Sequence, residues 1–573
     1  MNTLRSNNSP FYLSLISFLA FVFFAVSPAY SAGTGEKSGS GLSTAPVTGQ
    51  DRGDLIQARG TLLVEPDGSP YTVRGVAFGN SVWSNPSSAN GFTHHTMDDY
   101  AAAAAMGFNS VRFYINYGLF EDDSKPYAYK EAGFAWLDQN IAAAKKQGIR
   151  LLLNMHYPQG GYQSIGQGDA LWNNPANQKR LGALWKEIAR RYAGESGVLG
   201  FGILNEPVPV SGMKQWETLA QNLIDSIRSV NQRHLIFVER AIWLKNGTTA
   251  EIEQNLYFPQ GLKDPSGQLV YEFHLYDPMP FSHQNASWTS YKGSYAVWPD
   301  NNRIEAKNKR WAGFTDSNPA APVDRDGWIY LEGAVHYPAN DRFKLGHPTV
   351  QARSLGRSGS VLVSDLEIEE FDPEGRSLGV VYRSAADSES GWYYWSEDSS
   401  GSFAKKAGGR TAKTALEISG STGDANISDH GSPLKITQGN GYKASGWVKI
   451  KKADPSSRVV VRLDYYSADS VHVWNKAYLE SVFREYADYG KTRNVPLYIG
   501  EFGLMREAFA ENRGGEIWIA DILDILAEYS INYNYHTWHE SAFGIYGNDR
   551  GYPDPAWANR VLIDAFTKAQ TGN

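Results

Sequence analysis

The chain has no cysteine among its 573 residues. Disulfides, thiolate catalysis and cysteine-based zinc sites are therefore excluded, and any metal would have to be held by histidines and carboxylates. An excess of positive charge is also missing. Against 61 Asp and Glu there are only 54 Lys and Arg, a net charge of −7, with no Lys/Arg-rich run. Binding a polyanion needs a clustered basic face, so nucleic acid is not an expected partner. Beyond the N-terminus no apolar run is long enough to cross a bilayer. With 42% apolar and 20% charged residues the composition is that of a folded chain. Aromatics are what it has in quantity: 33 Tyr and 17 Trp within a 13% aromatic total. They fill large cores, and they also line surfaces that stack on the flat faces of sugar rings.

Residues 1–31 read as a secretory signal. Arg5 is the positive flank, 11–26 the apolar run, and Ala29-Tyr30-Ser31 supplies small residues before Ala32. An uncleaved anchor is the alternative, but the run is short and broken by serines. The reading implies a secreted or periplasmic protein with no stable membrane insertion. Residues 32–50, rich in Gly, Ser, Thr and Pro, read as a flexible linker.

After the linker, short apolar runs alternate with amphipathic stretches. Strands are predicted over 72–79, 109–114, 149–156, 198–206, 234–239, 269–276, 496–501 and 531–538. Most are continuously apolar, as strands buried on both faces are. The stretch 178–192 places Leu181, Leu184, Trp185, Ile188 and Tyr192 at helical spacing, a core-facing stripe. Six strand starts from 72 to 269 lie 35 to 49 residues apart, and 496 and 531 repeat the interval. Eight such units predict an α/β fold, a (β/α)₈ TIM barrel. A doubly wound sheet is the alternative, though no glycine-rich turn follows the first strand.

The rhythm breaks between 269 and 496. Residues 311–466 are dense in Gly, Asp and Ser turns and in β-rich runs, which predicts an inserted all-β sandwich. The barrel then consists of 51–310 and 467–573. Barrels tolerate such loop additions.

In this fold chemistry sits where strands end. Strand four ends in Leu204-Asn205-Glu206-Pro207 and strand seven in Ile499-Gly500-Glu501-Phe502-Gly503. Two carboxyl groups across one cleft are what glycosidic hydrolysis requires, one to protonate the leaving oxygen and one to attack the anomeric carbon. Strand-end acids that only cap helices are the plain alternative. Around them, Arg112 on strand two can orient a carboxylate. Asn205 can hold a sugar 2-hydroxyl, and Trp538 at the end of strand eight is a stacking platform. His156 ends strand three. His274 and Tyr276 share a face at spacing two on strand six. The histidines raise the question of a metal, but no carboxylate is near enough in sequence to complete a ligand set, so neither metal nor cofactor is expected. His94-His95, just before a helix, read as solvated.

The set Arg112, His156, Asn205-Glu206-Pro207, His274/Tyr276, Glu501 within Ile-Gly-Glu-Phe-Gly, and Trp538 resembles glycoside hydrolase family 5, a retaining family on (β/α)₈ barrels. The resemblance runs through 55–294 and 475–566. It implies that Glu206 is the acid/base and Glu501 the nucleophile, supported by Arg112. His156, Asn205, His274, Tyr276 and Trp538 would then shape the subsite at the scissile bond. Tyr276-Asp277-Pro278 followed by Phe281-Ser282-His283-Gln284 is similar to a loop of cellulase-like members, with Ser282 in place of Thr. The Gly160–Ser164 loop ties to no substrate. The insertion resembles a jelly-roll carbohydrate-binding module with its strands permuted (442–449 and 359–370), and either sugar binding or buttressing of the barrel fits it. Trp328, Trp392 and Trp395 are candidates for core or platform.

These expectations converge on a monomeric retaining hydrolase of β-linked polysaccharide, an endo-β-1,4-glucanase first. A β-mannanase, a β-1,3-glucanase and an exo-glycosidase are alternatives within the class, and a non-catalytic glycan binder lies outside it. A retaining pair implies carboxyl groups about 5–5.5 Å apart.

Overall fold

Eight of the apolar runs are parallel strands that close on themselves. In the computed structural model, which describes residues 54–82, 95–245, 255–289, 291–339, 341–384, 391–548 and 553–571, these strands are β1 Arg74–Phe78, β2 Ser110–Asn116, β3 Arg150–Tyr157 and β4 Val198–Gly202. They continue as β5 Leu235–Glu239, β6 Leu269–His274, β7 Leu497–Phe502 and β8 Asn532–Tyr535. Each pairs with its neighbour, and β8 returns to β1 through Tyr533 opposite Arg74. Across the long interruption, β7 pairs with β6 at Leu497 opposite Tyr271. The expected (β/α)₈ barrel is observed, and closure removes the doubly wound alternative. The signal and linker readings, 1–31 and 32–50, lie outside the described residues.

The local chemistry explains the layers. Helix Pro175–Arg191 starts at Asn174, whose side chain accepts the Ala176 N–H, and Pro175 sits in its first turn where a missing N–H is harmless. Its buried stripe is Leu181, Leu184, Trp185 and Ile188, and the Trp185 indole donates to the Ile203 carbonyl at 2.9 Å. Burying side chains of this kind stabilises by about 1.5–3 kcal/mol each. A short antiparallel sheet of Gln57–Arg59, Leu62–Val64 and Pro70–Tyr71 precedes β1. Its Leu63 and Tyr71 join Leu152, Leu199, Leu235, Val270 and Tyr498 in one cluster at the amino ends of the strands. That end is plugged, and the open end is the carboxyl one.

Cα packing divides the chain into two compact units, one made of the residues up to Trp298 together with those from Glu480, the other Pro299–Leu479. The second is an antiparallel sandwich. One sheet runs Arg310–Phe314, Arg458–Ser467, Leu345–Arg353, Ala425–Asp429, Trp392–Ser396, and the other is centred on Ser360–Phe371 beside Gly441–Lys452. Val350, Ile427 and Val461 of the first sheet meet Val361, Ile368 and Val448 of the second in a common core. The unit's entry and exit segments, Asp300–Lys307 and Ser470–Trp474, pair as an antiparallel ribbon. Trp328 and Trp392 are buried, whereas Trp395 is 48% exposed.

Candidate active site

The open end of the barrel gathers charge around one guanidinium. Arg112, on β2, is fully buried. Its Nη1 lies 2.8 Å from Glu501 Oε1 and its Nη2 donates to Asn205 Oδ1 at 2.9 Å. Nη2 is also 2.9 Å from Glu272 Oε1 and 3.7 Å from Glu239 Oε2. A buried charge survives only when paired, and this one is paired several times over.

Glu501, near the end of β7, accepts three hydrogen bonds. Arg112 and the Tyr114 hydroxyl (2.6 Å) share Oε1, and the Tyr276 hydroxyl reaches Oε2 at 2.9 Å. Burial alone would raise its pKa, but His274, His536 and Arg112 outweigh burial and hold the carboxyl well below the usual carboxylate range. Glu501 is an anion fixed in direction.

Glu206 is placed differently. β4 stops at Gly202, so Asn205 and Glu206 stand on the turn beyond it. Glu206 adopts φ 45°, a left-handed conformation unfavourable for a side chain of this size. Its amide donates to Glu239 Oε2 at 2.9 Å and its Oε1 lies 2.9 Å from His274 Nδ1. Its side chain is 16% exposed against 6% for Glu501. The same Nδ1 is 3.6 Å from Glu501 Oε2. One oxygen of each glutamate and this nitrogen lie within 4.8 Å of one another. The two carboxyl groups thus face a common point, one locked and one reachable.

Of the sequence-predicted residues, Arg112, Asn205, Glu206, His274, Tyr276 and Glu501 come together here. His156 joins them through ring stacking on Tyr114 at 3.9 Å, and burial pushes it well below the ordinary histidine value, so it is neutral. The Gly160–Ser164 loop reaches the site as well: Asn205 Nδ2 donates to Ser164 Oγ at 3.3 Å, and Tyr162 lies beside His156. Gly160 cannot be replaced there, because its φ is 97° and a Cβ would stand 2.3 Å from the Leu171 nitrogen. In the loop after Tyr276, the Ser282 hydroxyl donates to the Tyr276 carbonyl.

Trp538 does not join them. β8 ends at Tyr535, the chain turns, and the Trp538 ring is fully buried with its indole donating to Asp99 Oδ1 at 2.8 Å. It cannot serve as a sugar platform. His536 faces the cleft instead, with Nδ1 3.1 Å from the Tyr114 hydroxyl and Nε2 3.5 Å from Glu540 Oε2. Of the histidine pair read as solvated, His94 lies outside the described residues, and His95 is buried between Asn80 and Asn140. Burial lowers it to about 4.

Four residues escaped the sequence reading: Tyr114, Glu239, Glu272 and His536. Glu272 was visible as an acid inside an apolar strand, two positions before His274. Glu239 closes the apolar run of β5 just as Glu501 nearly closes that of β7. Carboxylates do converge on His274 in space, Glu206 with Glu501 and Glu239 with Glu272, and of these only Glu272 is close to it in sequence. In the second set Arg112 already supplies a cation at 2.9 Å.

Residues 64–317 match the family model for cellulase, glycosyl hydrolase family 5. Endoglucanase C of Acetivibrio thermocellus is 30% identical over 207 residues, 35% of this chain and 56% of its own length. Cellodextrinase A of Ruminococcus flavefaciens is 28% identical over 193 residues, 34% of this chain and 54% of its own. The chain thus spans little more than half the length of these relatives. The structure of Thermotoga maritima Cel5A in complex with cellobiose aligns with a TM-score of 0.45 at 17% identity, over 86% of this chain and 97% of that one. The match to the cellulase family model, glycosyl hydrolase family 5, spans β1 to β6.

Proposed function

We propose that this protein is a retaining glycoside hydrolase that cleaves β-linked polysaccharide, and specifically an endo-acting β-1,4-glucanase. One observation carries the reading: an oxygen of each of two carboxyl groups lies within 4.8 Å of the other, Glu501 locked as an anion and Glu206 the more exposed of the two. Such closeness suits a covalent route, since inverting enzymes leave room for a water between carboxyl groups about 6.5–9.5 Å apart. Glu501 is the nucleophile, its lone pair aimed by Arg112, Tyr114 and Tyr276. Glu206 gives its proton to the leaving oxygen as the glycosidic bond breaks. It then takes a proton from the water that releases the sugar from Glu501. Asn205, held by Arg112 and Ser164, is placed to meet a sugar hydroxyl. The β-1,4-glucan assignment follows the relatives named endoglucanase.

The remaining sequence expectations belong to the same proposal. Residues 1–31 export the chain, it acts as a monomer, and the inserted sandwich holds polymer through Tyr393 and Trp395, which point outward together from Trp392–Ser396.

The test is a reducing-sugar assay across cellulose, carboxymethyl cellulose, mannan, xylan and β-1,3-glucan, with product lengths followed over time. Glu206→Gln and Glu501→Gln should each lower turnover by about a thousandfold or more. An aryl glycoside with a good leaving group, which needs no acid, should restore glycosyl-enzyme formation in Glu206→Gln alone. Release of an inverted anomer, or activity surviving in Glu501→Gln, would end the proposal.

A further inference from the structure

Behind Glu206 lies a second pair of acids that the reaction as described does not use. Glu239 and Glu272 sit side by side on β5 and β6, directly opposite each other in register, and both are buried, at 0% and 1% exposure. Two carboxylates so placed cannot both carry charge without strong repulsion. Arg112 takes Glu272, at 2.9 Å. Glu239 is 3.7 Å from that guanidinium and spends its oxygens elsewhere: Oε2 accepts the Glu206 amide, and Oε1, which receives no hydrogen bond, faces His274 Nε2 at 3.4 Å. Glu239 therefore touches the Glu206 backbone and, through the imidazole, the Glu206 carboxyl as well.

We propose that Glu239 is a positioning residue for Glu206: it fixes the tautomer of His274, so that the ring donates from Nδ1 to Glu206 and leaves the proton of Glu206 for the leaving group. The inference rests on the acid/base role assigned to Glu206 above. An imidazole with a proton only on Nε2 would present a lone pair at Nδ1, 2.9 Å from Glu206 Oε1. The Glu206 O–H would then turn to the ring and away from the glycosidic oxygen. A second proton on the Glu239–His274 pair prevents this: either the Glu239 Oε1–H donates to Nε2, or both ring nitrogens are protonated beside an ionised Glu239, and in both cases Nδ1 carries its own hydrogen. Arg112 Nη2, 3.3 Å from the same Nε2, favours the first arrangement. Burial raises Glu239 well above the ordinary carboxylate range, and the surrounding carboxylates raise His274 in spite of its own burial. Both shifts favour keeping that proton. The Oε2 bond adds a second constraint, since it fixes the amide of a residue whose φ of 45° needs holding.

Two variants separate this role from a purely structural one. Glu239→Met fills the same volume with no hydrogen-bonding atom. Glu239→Gln keeps an oxygen for the Glu206 amide and offers an N–H to His274 Nε2, which enforces the same tautomer. In the full-length protein, kcat and KM are measured on the soluble oligosaccharide turned over fastest in the polysaccharide panel, and on the 2,4-dinitrophenyl glycoside of the matching disaccharide. Glu239→Met should lower kcat on the oligosaccharide by about 10- to 100-fold with KM changed less than about threefold. Glycosyl-enzyme formation from the dinitrophenyl glycoside should fall less than about threefold. Glu239→Gln should recover most of the loss, ending within about tenfold of wild type. Equal losses on both substrates, or no loss at all, would overturn the proposal. So would a Gln variant as slow as the Met variant, or, should Glu239→Met not fold, a Gln variant more than about a hundredfold slow on the oligosaccharide. Glu206→Gln is run alongside. If it still cleaves the oligosaccharide, the acid/base assignment itself is wrong; if it fails as expected while the Glu239 variants break the pattern, only the role of Glu239 falls.

Discussion

Replacing Arg112 by Met keeps a long apolar stem in the barrel and deletes the charge that Glu501, Glu272 and Glu239 share. The cation is fully buried, with carboxylate oxygens at 2.8, 2.9 and 3.7 Å, so no water can take its place. The acid with least other support, Glu272, then answers by taking up a proton. At pH 7 that uptake costs about 1.36 kcal/mol for each unit between the solution pH and an unfolded value near 4.3, or about 3.7 kcal/mol in all. At pH 5 the same term is about 1 kcal/mol. The sign follows from linkage: a carboxyl raised in the folded state destabilises above its unfolded pKa, and the penalty disappears as the pH falls towards that value. Hydrogen exchange followed in peptides from β2 and β7 reads opening of the barrel itself. We expect a deficit against wild type of about 3–4 kcal/mol at pH 7, shrinking by more than half at pH 5. A deficit under about 1 kcal/mol at pH 7, or one that does not shrink, would refute the claim that Arg112 is the necessary counter-charge.

Three further outcomes follow. His95 and His234 are buried and His283 is half-buried, and desolvation holds all three at about 4, so the unfolded chain binds their protons first. Each adds stability that is complete above about pH 6.5 and is lost as the pH falls towards 4, and calorimetry near pH 5 should find about one proton fewer taken up on unfolding in His95→Gln. Gly500→Ala should destabilise the barrel by about 3 kcal/mol or more, because the new Cβ would stand 1.9 Å from Glu272 Oε1; a fully stable variant would show that Glu272 moves freely. Tyr393→Ala with Trp395→Ala should leave turnover of short oligosaccharides intact and release the protein from insoluble polymer in a pull-down; unchanged retention would remove sugar binding from that strand.

All eight barrel strands were legible because parallel strands covered on both faces leave unbroken apolar runs, and their spacing repeated on both sides of the insertion. Seven of the eight candidate site residues, Arg112 among them, come together because a barrel delivers chemistry at strand ends, which a linear reading can locate. Trp538 was misplaced for a geometric reason: period-two alternation holds only while the chain remains a strand, and β8 stops three residues short. Glu239 and Glu272 were passed over because their importance lies in being neighbours, and register between β5 and β6 is not written along either strand. His95 looked solvated because its partners, Asn80 and Asn140, are supplied from positions far along the chain.

The interruption between β6 and β7 has a consequence for synthesis. Six strands leave the ribosome about 220 residues before the seventh, an interval of roughly 10–45 s at common elongation rates. Throughout it, the nascent barrel is an open sheet whose outer edges, β1 and β6, have no partners and invite pairing with other chains. The ribbon of Asp300–Lys307 with Ser470–Trp474 shortens what must be searched afterwards. Once the sandwich has formed, β7 emerges from a point tethered close to where the chain left off, and closing the barrel becomes a short-loop event. A chaperone that shields sheet edges is therefore needed most in the interval before residue 474 has been made.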